Sequence, residues 1–192
     1  MLGIFGGTFD PIHYGHLSAA WQVFQSLNLT ELRFMPCNLP PHRAAPLATS
    51  EHRLNMLKLA IKDVPGFTID DRELKTNDIS YTVNSLTSIR HEVGDTPICL
   101  ILGADAFNQI HTWHEPEKIM KLAQIVVLGR PDITVNKSKI TPVDRVYFEQ
   151  NTLLDISASN IRNMLHNNLT PKFLLPDAVL DYIKREHLYV NH

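Results

Sequence analysis

The sequence predicts an α/β protein with a doubly wound parallel sheet covered by helices on both faces. Three observations point there. Short apolar runs alternate along the chain with longer amphipathic segments, the pattern of strands and crossover helices. Two of the runs, "ICLILG" (98–103) and "QIVVLG" (124–129), read as buried strands. The 192 residues, 44% of them hydrophobic, suit one large domain spanning 1–192, with a core burying about 70% of the unfolded surface.

The elements follow in order. Residues 2–5 "LGIF" form a first strand, and 16–28 a helix with Leu17, Ala20, Trp21 and Phe24 at helical spacing. "ELRFMP" (31–36) is a strand ended by Pro36, and a long proline-rich loop follows to residue 49. Residues 51–63 form a helix with Leu54, Leu57 and Ile61 on one face; "FTID" (67–70) is a strand. Ser80 is the expected N-cap of a helix over 81–93. Between the two buried strands lies a mostly helical stretch holding Trp113. Residues 131–142 read as polar loop and 145–150 as the last strand. Helices at about 158–167 and 177–187 would form a small C-terminal helical part, 157–192. In such sheets ligands bind beyond the carboxyl ends of the strands, where the strand order reverses. The loops after each strand are therefore the places to look.

Composition narrows the function. A net charge of −2 gives no broad basic field for a nucleic-acid backbone. No run approaches the ~18 apolar residues of a membrane span, and no basic region leads into an apolar segment at the start. Cys37 and Cys99 are far apart and form no C-x-x-C pair. A cytoplasmic protein without a nucleic-acid or membrane partner is expected, its oligomeric state unread.

The segment "GIFGGTFDPIHYGHL" (3–17) is the most informative. Gly6 and Gly7 follow the first strand, where missing Cβ atoms would let the backbone approach a ligand. A helix starting near Gly15–His16 would turn its free N–H groups and positive dipole end toward the crevice, which suits an anion. His13 and His16 flank that start and can each donate to a phosphate oxygen. Pro11 is expected to push Asp10 toward extended geometry. Neither G-x-x-x-x-G-K-[ST] nor G-x-G-x-x-G is present, so neither familiar phosphate loop applies. Two plainer readings stay open: a structural turn, and a pair of metal ligands. The second lacks a third ligand at a telling spacing, so no protein metal site is expected.

The stretch "GGTFDPIHYGH", with His13-Tyr14-Gly15-His16, resembles the H-x-G-H signature of the nucleotidyltransferase superfamily. "ISASNIR" (156–162) resembles that superfamily's late Ser/Thr-rich motif ending in Arg. "PPHR" (40–43), "SYT" (80–82) and "LGAD" (102–105) followed by Trp113 are similar to the bacterial nicotinate-nucleotide adenylyltransferases. The resemblance covers nearly the whole chain and implies a Rossmann-like nucleotidyltransferase fold. It implies transfer of AMP from ATP to nicotinate mononucleotide, with Mg²⁺ held mainly by ATP phosphates. It implies catalytic roles for His13, His16 and Arg162, and ATP contacts from Gly6, Gly7, Thr8, Phe9, His16, Ser157, Ser159 and Arg162. For nicotinate mononucleotide it implies His42, Arg43, Thr82, Gly103, Asp105, Trp113 and His114, with Trp113 stacking on the pyridine ring. Read without the resemblance, Trp113 could be packing and Asp105 a helix cap. Ala158 and Asn160 stand where many relatives carry hydroxyl residues. The nearest rivals are a pantetheine-phosphate adenylyltransferase and a non-catalytic nucleotide sensor of the same fold.

Overall fold

Six parallel strands lie in the order β3-β2-β1-β4-β5-β6: β1 Leu2–Gly7, β2 Glu31–Pro36, β3 Phe67–Ile69, β4 Ile98–Gly103, β5 Gln124–Leu128 and β6 Val146–Glu149. The helices are α1 Tyr14–Ser26, α2 Ser50–Ile61, α3 Thr82–Val93, α4 Ala104–Asn108, α5 Pro116–Leu122, α6 Ala158–His166 and α7 Asp177–Arg185. This computed structural model describes residues 1–38, 45–76, 80–129, 146–149 and 154–190; at 146–149 it describes the backbone alone.

The strands bury side chains on both faces, as a parallel sheet covered on both sides requires. Ile98, Leu100 and Leu102 of β4 enter one core with Val83, Leu86 and Ile89 of α3. Cys99 and Ile101 point the other way, into a core with Ala20 and Val23 of α1 and Met56 and Leu57 of α2. Leu165 of α6 and Val179, Leu180 and Ile183 of α7 join that second core. Burial pushes the Cys99 thiol up to about 12, which leaves it an inert packing group.

The strand order reverses between β1 and β4, which are hydrogen-bonded neighbours. The chain leaves β1 toward one face and β4 toward the other, so the carboxyl ends of these strands open a crevice. The expected strands and helices all occur, with ends shifted by at most two residues. Four local details differ. Gly6 and Gly7 do not follow β1 but end it, paired with Met35 and Pro36. The inward face of α2 is set by Arg53, Met56, Leu57 and Ile61, while Leu54 is only half-buried. Trp21 is 39% exposed and stacks on Phe24 at the edge of the core. The Asp10–Pro11 peptide is cis.

Candidate active site

The segment after β1 is built around rings. Helix α1 begins at Tyr14, with His13 as its N-cap residue. The His13 carbonyl accepts from His16 N (3.0 Å) and Leu17 N (3.1 Å), which starts the helix. The His13 and His16 rings stack at 3.7 Å between centroids. Phe5 and Phe9 meet the His16 ring edge-on at 6.2 and 5.2 Å. Three aromatic neighbours thus fix the His16 imidazole, while its position in the first turn keeps it at the crevice. Two glycines make this packing possible. A Cβ on Gly7 would stand 2.8 Å from the Phe9 ring, and one on Gly15 2.9 Å from His13 Nδ1 and 3.2 Å from Ile156 O. A Cβ on Gly6 would meet nothing within 4 Å among the described residues.

That Gly15–Ile156 approach brings the two separated motifs together. Ser157 is the N-cap of α6, its hydroxyl oxygen accepting from Asn160 N at 3.2 Å. One turn on, Arg162 Nη1 donates to the Asp10 carbonyl (2.7 Å) and Nη2 to Ser159 Oγ (3.3 Å). The amino termini of α1 and α6 therefore converge at the switch point, and both present positive dipole ends there. Among the described residues no three His, Cys, Asp or Glu gather to hold a metal ion.

The second half of the crevice lies past β4 and at the start of α3. Gly103 is the N-cap residue of α4, and Asp105 lies in the first turn. The Asp105 carboxylate folds back over Gly103, where Oδ1 would stand 2.7 Å from a Cβ. Trp113 is half-buried at the margin of the α3-side core. The rings of Tyr81 and His114 meet at 4.7 Å, which brings the start of α3, and with it Thr82, beside the segment after Trp113. His42 and Arg43 lie outside the described residues.

Four polar side chains not singled out as site residues organise these loops. Asp10 is buried, and its carboxylate accepts from Leu47 N (2.8 Å), Ala48 N (3.1 Å) and Tyr189 Oη (2.6 Å). Arg53 is 1% exposed and its Nη1 donates to Thr8 O and Cys37 O, both at 2.8 Å. Ser80 does not cap α3: Tyr81 holds the N-cap position, and Ser80 Oγ accepts from Asn38 N at 3.2 Å. Buried Glu73 accepts from Ser85 Oγ at 2.6 Å and is also hydrogen-bonded to Ser80. The Glu73–Ser80–Asn38 chain thereby ties the segment after β2 to the approach to α3. Asp-Pro was a visible turn signal, but the partners of Arg53, Glu73 and Tyr189 come from distant segments that no local pattern marks.

Burial raises the Glu73 carboxyl above its ordinary 4.5, with Ser85 and Ser80 opposing. A raised native pKa contributes stability that is full below 4.5 and is lost as pH rises through the native value. Glu73→Gln keeps an acceptor for the two hydroxyls and removes the titration. Urea denaturation at several pH values is expected to show a flatter fall in stability above 4.5 for the variant, and higher stability at neutral pH.

Comparison with known proteins agrees with this geometry. Residues 4–164 match the cytidylyltransferase-like family. The "probable nicotinate-nucleotide adenylyltransferase" of Methylococcus capsulatus is 47% identical, over 100% of both chains. The protein of the same name from Acidithiobacillus ferrooxidans is 41% identical over 98% of this chain and 95% of its own. The nicotinic acid mononucleotide adenylyltransferase of Plasmodium falciparum, solved with NaAD, superposes with a TM-score of 0.83. At 22% identity, over 98% of this chain and 96% of that one, it shares the fold. With 47% identity over its whole length and both motifs meeting at the switch point, the chain belongs to the nicotinate-nucleotide adenylyltransferase family, within the cytidylyltransferase-like group.

Proposed function

We propose that this chain transfers AMP from ATP to nicotinate mononucleotide, giving nicotinate adenine dinucleotide and pyrophosphate. The observation that carries the reading is the convergence of the α1 and α6 amino termini, with Arg162 anchored on Asp10. A phosphate oxygen of the mononucleotide attacks the α-phosphorus of ATP. The bond from that phosphorus to the bridging oxygen of the β-phosphate breaks, and its electron pair leaves with pyrophosphate. The attacking phosphate is already anionic at neutral pH, so no catalytic base is needed. The work is positioning and neutralising charge as it develops.

His13, His16 and Arg162 are the donors in that reading. His16 serves the α-phosphate; Arg162 and Ser159 serve the outer phosphates. Ser157 has its oxygen engaged by Asn160 N and offers its O–H. Gly6, Gly7, Thr8 and Phe9 border the nucleotide, and among the described residues nothing stands within 4 Å of a Cβ built on Gly6, which supports a ligand there. Mg²⁺ would come with ATP and be held by its phosphate oxygens and water, where it would offset phosphate charge; the imidazoles, guanidinium and backbone N–H groups here suit anions rather than a hard cation.

For the second substrate, Trp113 stacks on the pyridine ring and Asp105, folded over Gly103, accepts from a ribose hydroxyl. Backbone N–H groups of Thr82 and His114 receive the nicotinate carboxylate, a pairing that the Tyr81–His114 contact supports. His42 and Arg43 reach phosphates from the loop after β2. The whole chain, 1–192, acts as one nucleotidyltransferase domain in the cytoplasm; among the described residues no helix is long and apolar enough to cross a membrane.

Pyrophosphate release with ATP and a panel of acceptors tests the reading. Nicotinate mononucleotide is expected to give the highest kcat/KM. Preference for phosphopantetheine would overturn the acceptor assignment. Equal rates with nicotinamide mononucleotide would overturn the carboxylate role of Thr82 and His114 alone.

A further inference from the structure

We infer that Tyr189, near the carboxyl end of the chain, is a positioning residue for adenylyl transfer, acting through Asp10 on Arg162 and on the segment that enters α2. This rests on the adenylyltransferase reading above. A phenol 179 positions away in sequence donates to Asp10 Oδ1 at 2.6 Å, the shortest of that carboxylate's contacts. The same oxygen accepts from Ala48 N; Oδ2 accepts from Leu47 N and stands 3.9 Å from Arg162 Nη1. One carboxylate therefore joins the loop after β1, the segment leading to α2, the late motif on α6 and the carboxyl-terminal segment. Each of the first three carries groups proposed to hold substrate, and His42 and Arg43 lie a few residues before the anchored Leu47 and Ala48.

Two further observations show that Tyr189 is held rather than resting there. Its backbone lies in the left-handed region, φ +63°, which is uncommon for a residue with a Cβ. Its ring packs against the core shared by α1, α2, α6 and α7. Burial, and next the Asp10 charge, push the phenol far above its ordinary range, so it stays a neutral donor at any working pH. The Asp10 oxygens are thereby held in one orientation, and Arg162 with them. Two of the five guanidinium donors go to Asp10 O and Ser159 Oγ, and the rest are aimed by those two.

The test is steady-state kinetics of the full chain with ATP and nicotinate mononucleotide, well below the unfolding temperature. Tyr189→Phe keeps the ring and removes only the donor. Displacements approaching 1 Å at a reacting group cost up to ~100-fold, so a fall in kcat of ~10-fold is expected for this partial loosening. Asp10→Asn is expected to lower kcat further. Because Tyr189 acts through Asp10, the double variant should cost no more than Asp10→Asn alone. A purely structural role would lower the unfolding temperature and leave kcat and both KM values unchanged, which would overturn the inference. Multiplying effects in the double variant would overturn it too. No turnover by the unmodified chain would overturn the adenylyltransferase reading and this inference together. Normal turnover with an indifferent Tyr189→Phe removes this inference alone.

Discussion

Replacing His16 by alanine is expected to lower kcat by ~10²–10³-fold, as removal of one preorganised donor to developing charge does elsewhere. The imidazole is clamped by His13, Phe5 and Phe9, so its orientation is set before substrate arrives. Little of its donor strength is then spent on reorganisation during the reaction. The loss should fall on kcat more than on the KM for ATP, because a preorganised donor gains most from charge that grows in the transition state. His16→Gln, which keeps an N–H donor at a similar reach, is expected to recover part of the rate. Stopped-flow or coupled pyrophosphate assays at saturating ATP measure both. Unchanged kcat in His16→Ala would show that the phosphate is held by other groups.

Replacing Arg53 by methionine is expected to lower stability by about 2–4 kcal/mol, since bonds from a charged donor contribute roughly 1.5–3 kcal/mol each. Methionine fills much of the same volume but leaves the carbonyls of Thr8 and Cys37 without their donor. These carbonyls lie just past the carboxyl ends of β1 and β2, and Cys37 N also donates to Gly7 O at 3.0 Å. Arg53 thus sets the spacing between the loops after β1 and β2 from a helix behind them. Guanidinium denaturation followed by circular dichroism gives the stability. A loss under 0.5 kcal/mol, the usual range for an ordinary surface substitution, would show that the two carbonyls find water instead.

The elements of the fold were legible because their periods are carried by side chains next to one another in sequence. "ELRFMP" and "ICLILG" end where β2 and β4 end, and the sheet needs nothing else to specify them. The site motifs were legible for a similar reason. Helix starts, glycines and anion donors sit within a few residues of each other at 6–16 and at 157–162.

Side chains whose role depends on a distant partner could not be read in this way. Ser80 stands before an apolar helix and carries every local mark of a cap. It bonds Asn38 instead because β2 and β3 lie side by side and bring that segment within 3.2 Å. On α2, hydrophobic spacing put Leu54 inward. The helix turns Arg53 in, because two loop carbonyls wait there for a donor. Asp-Pro signalled a turn, yet Asp10 became the junction of four segments.

The sequence by itself determined the layered α/β architecture, the two motifs at 6–16 and 156–162 and the polar groups they carry. Hydrophobic period and local turn chemistry act over a few residues and leave their mark in a few residues. Only the tertiary structure decided that these donors face one another, which buried polar groups hold them, and that a tyrosine near the far end of the chain closes the set. A hydrogen bond between residues 179 positions apart exists only once the core has brought both ends of the chain together.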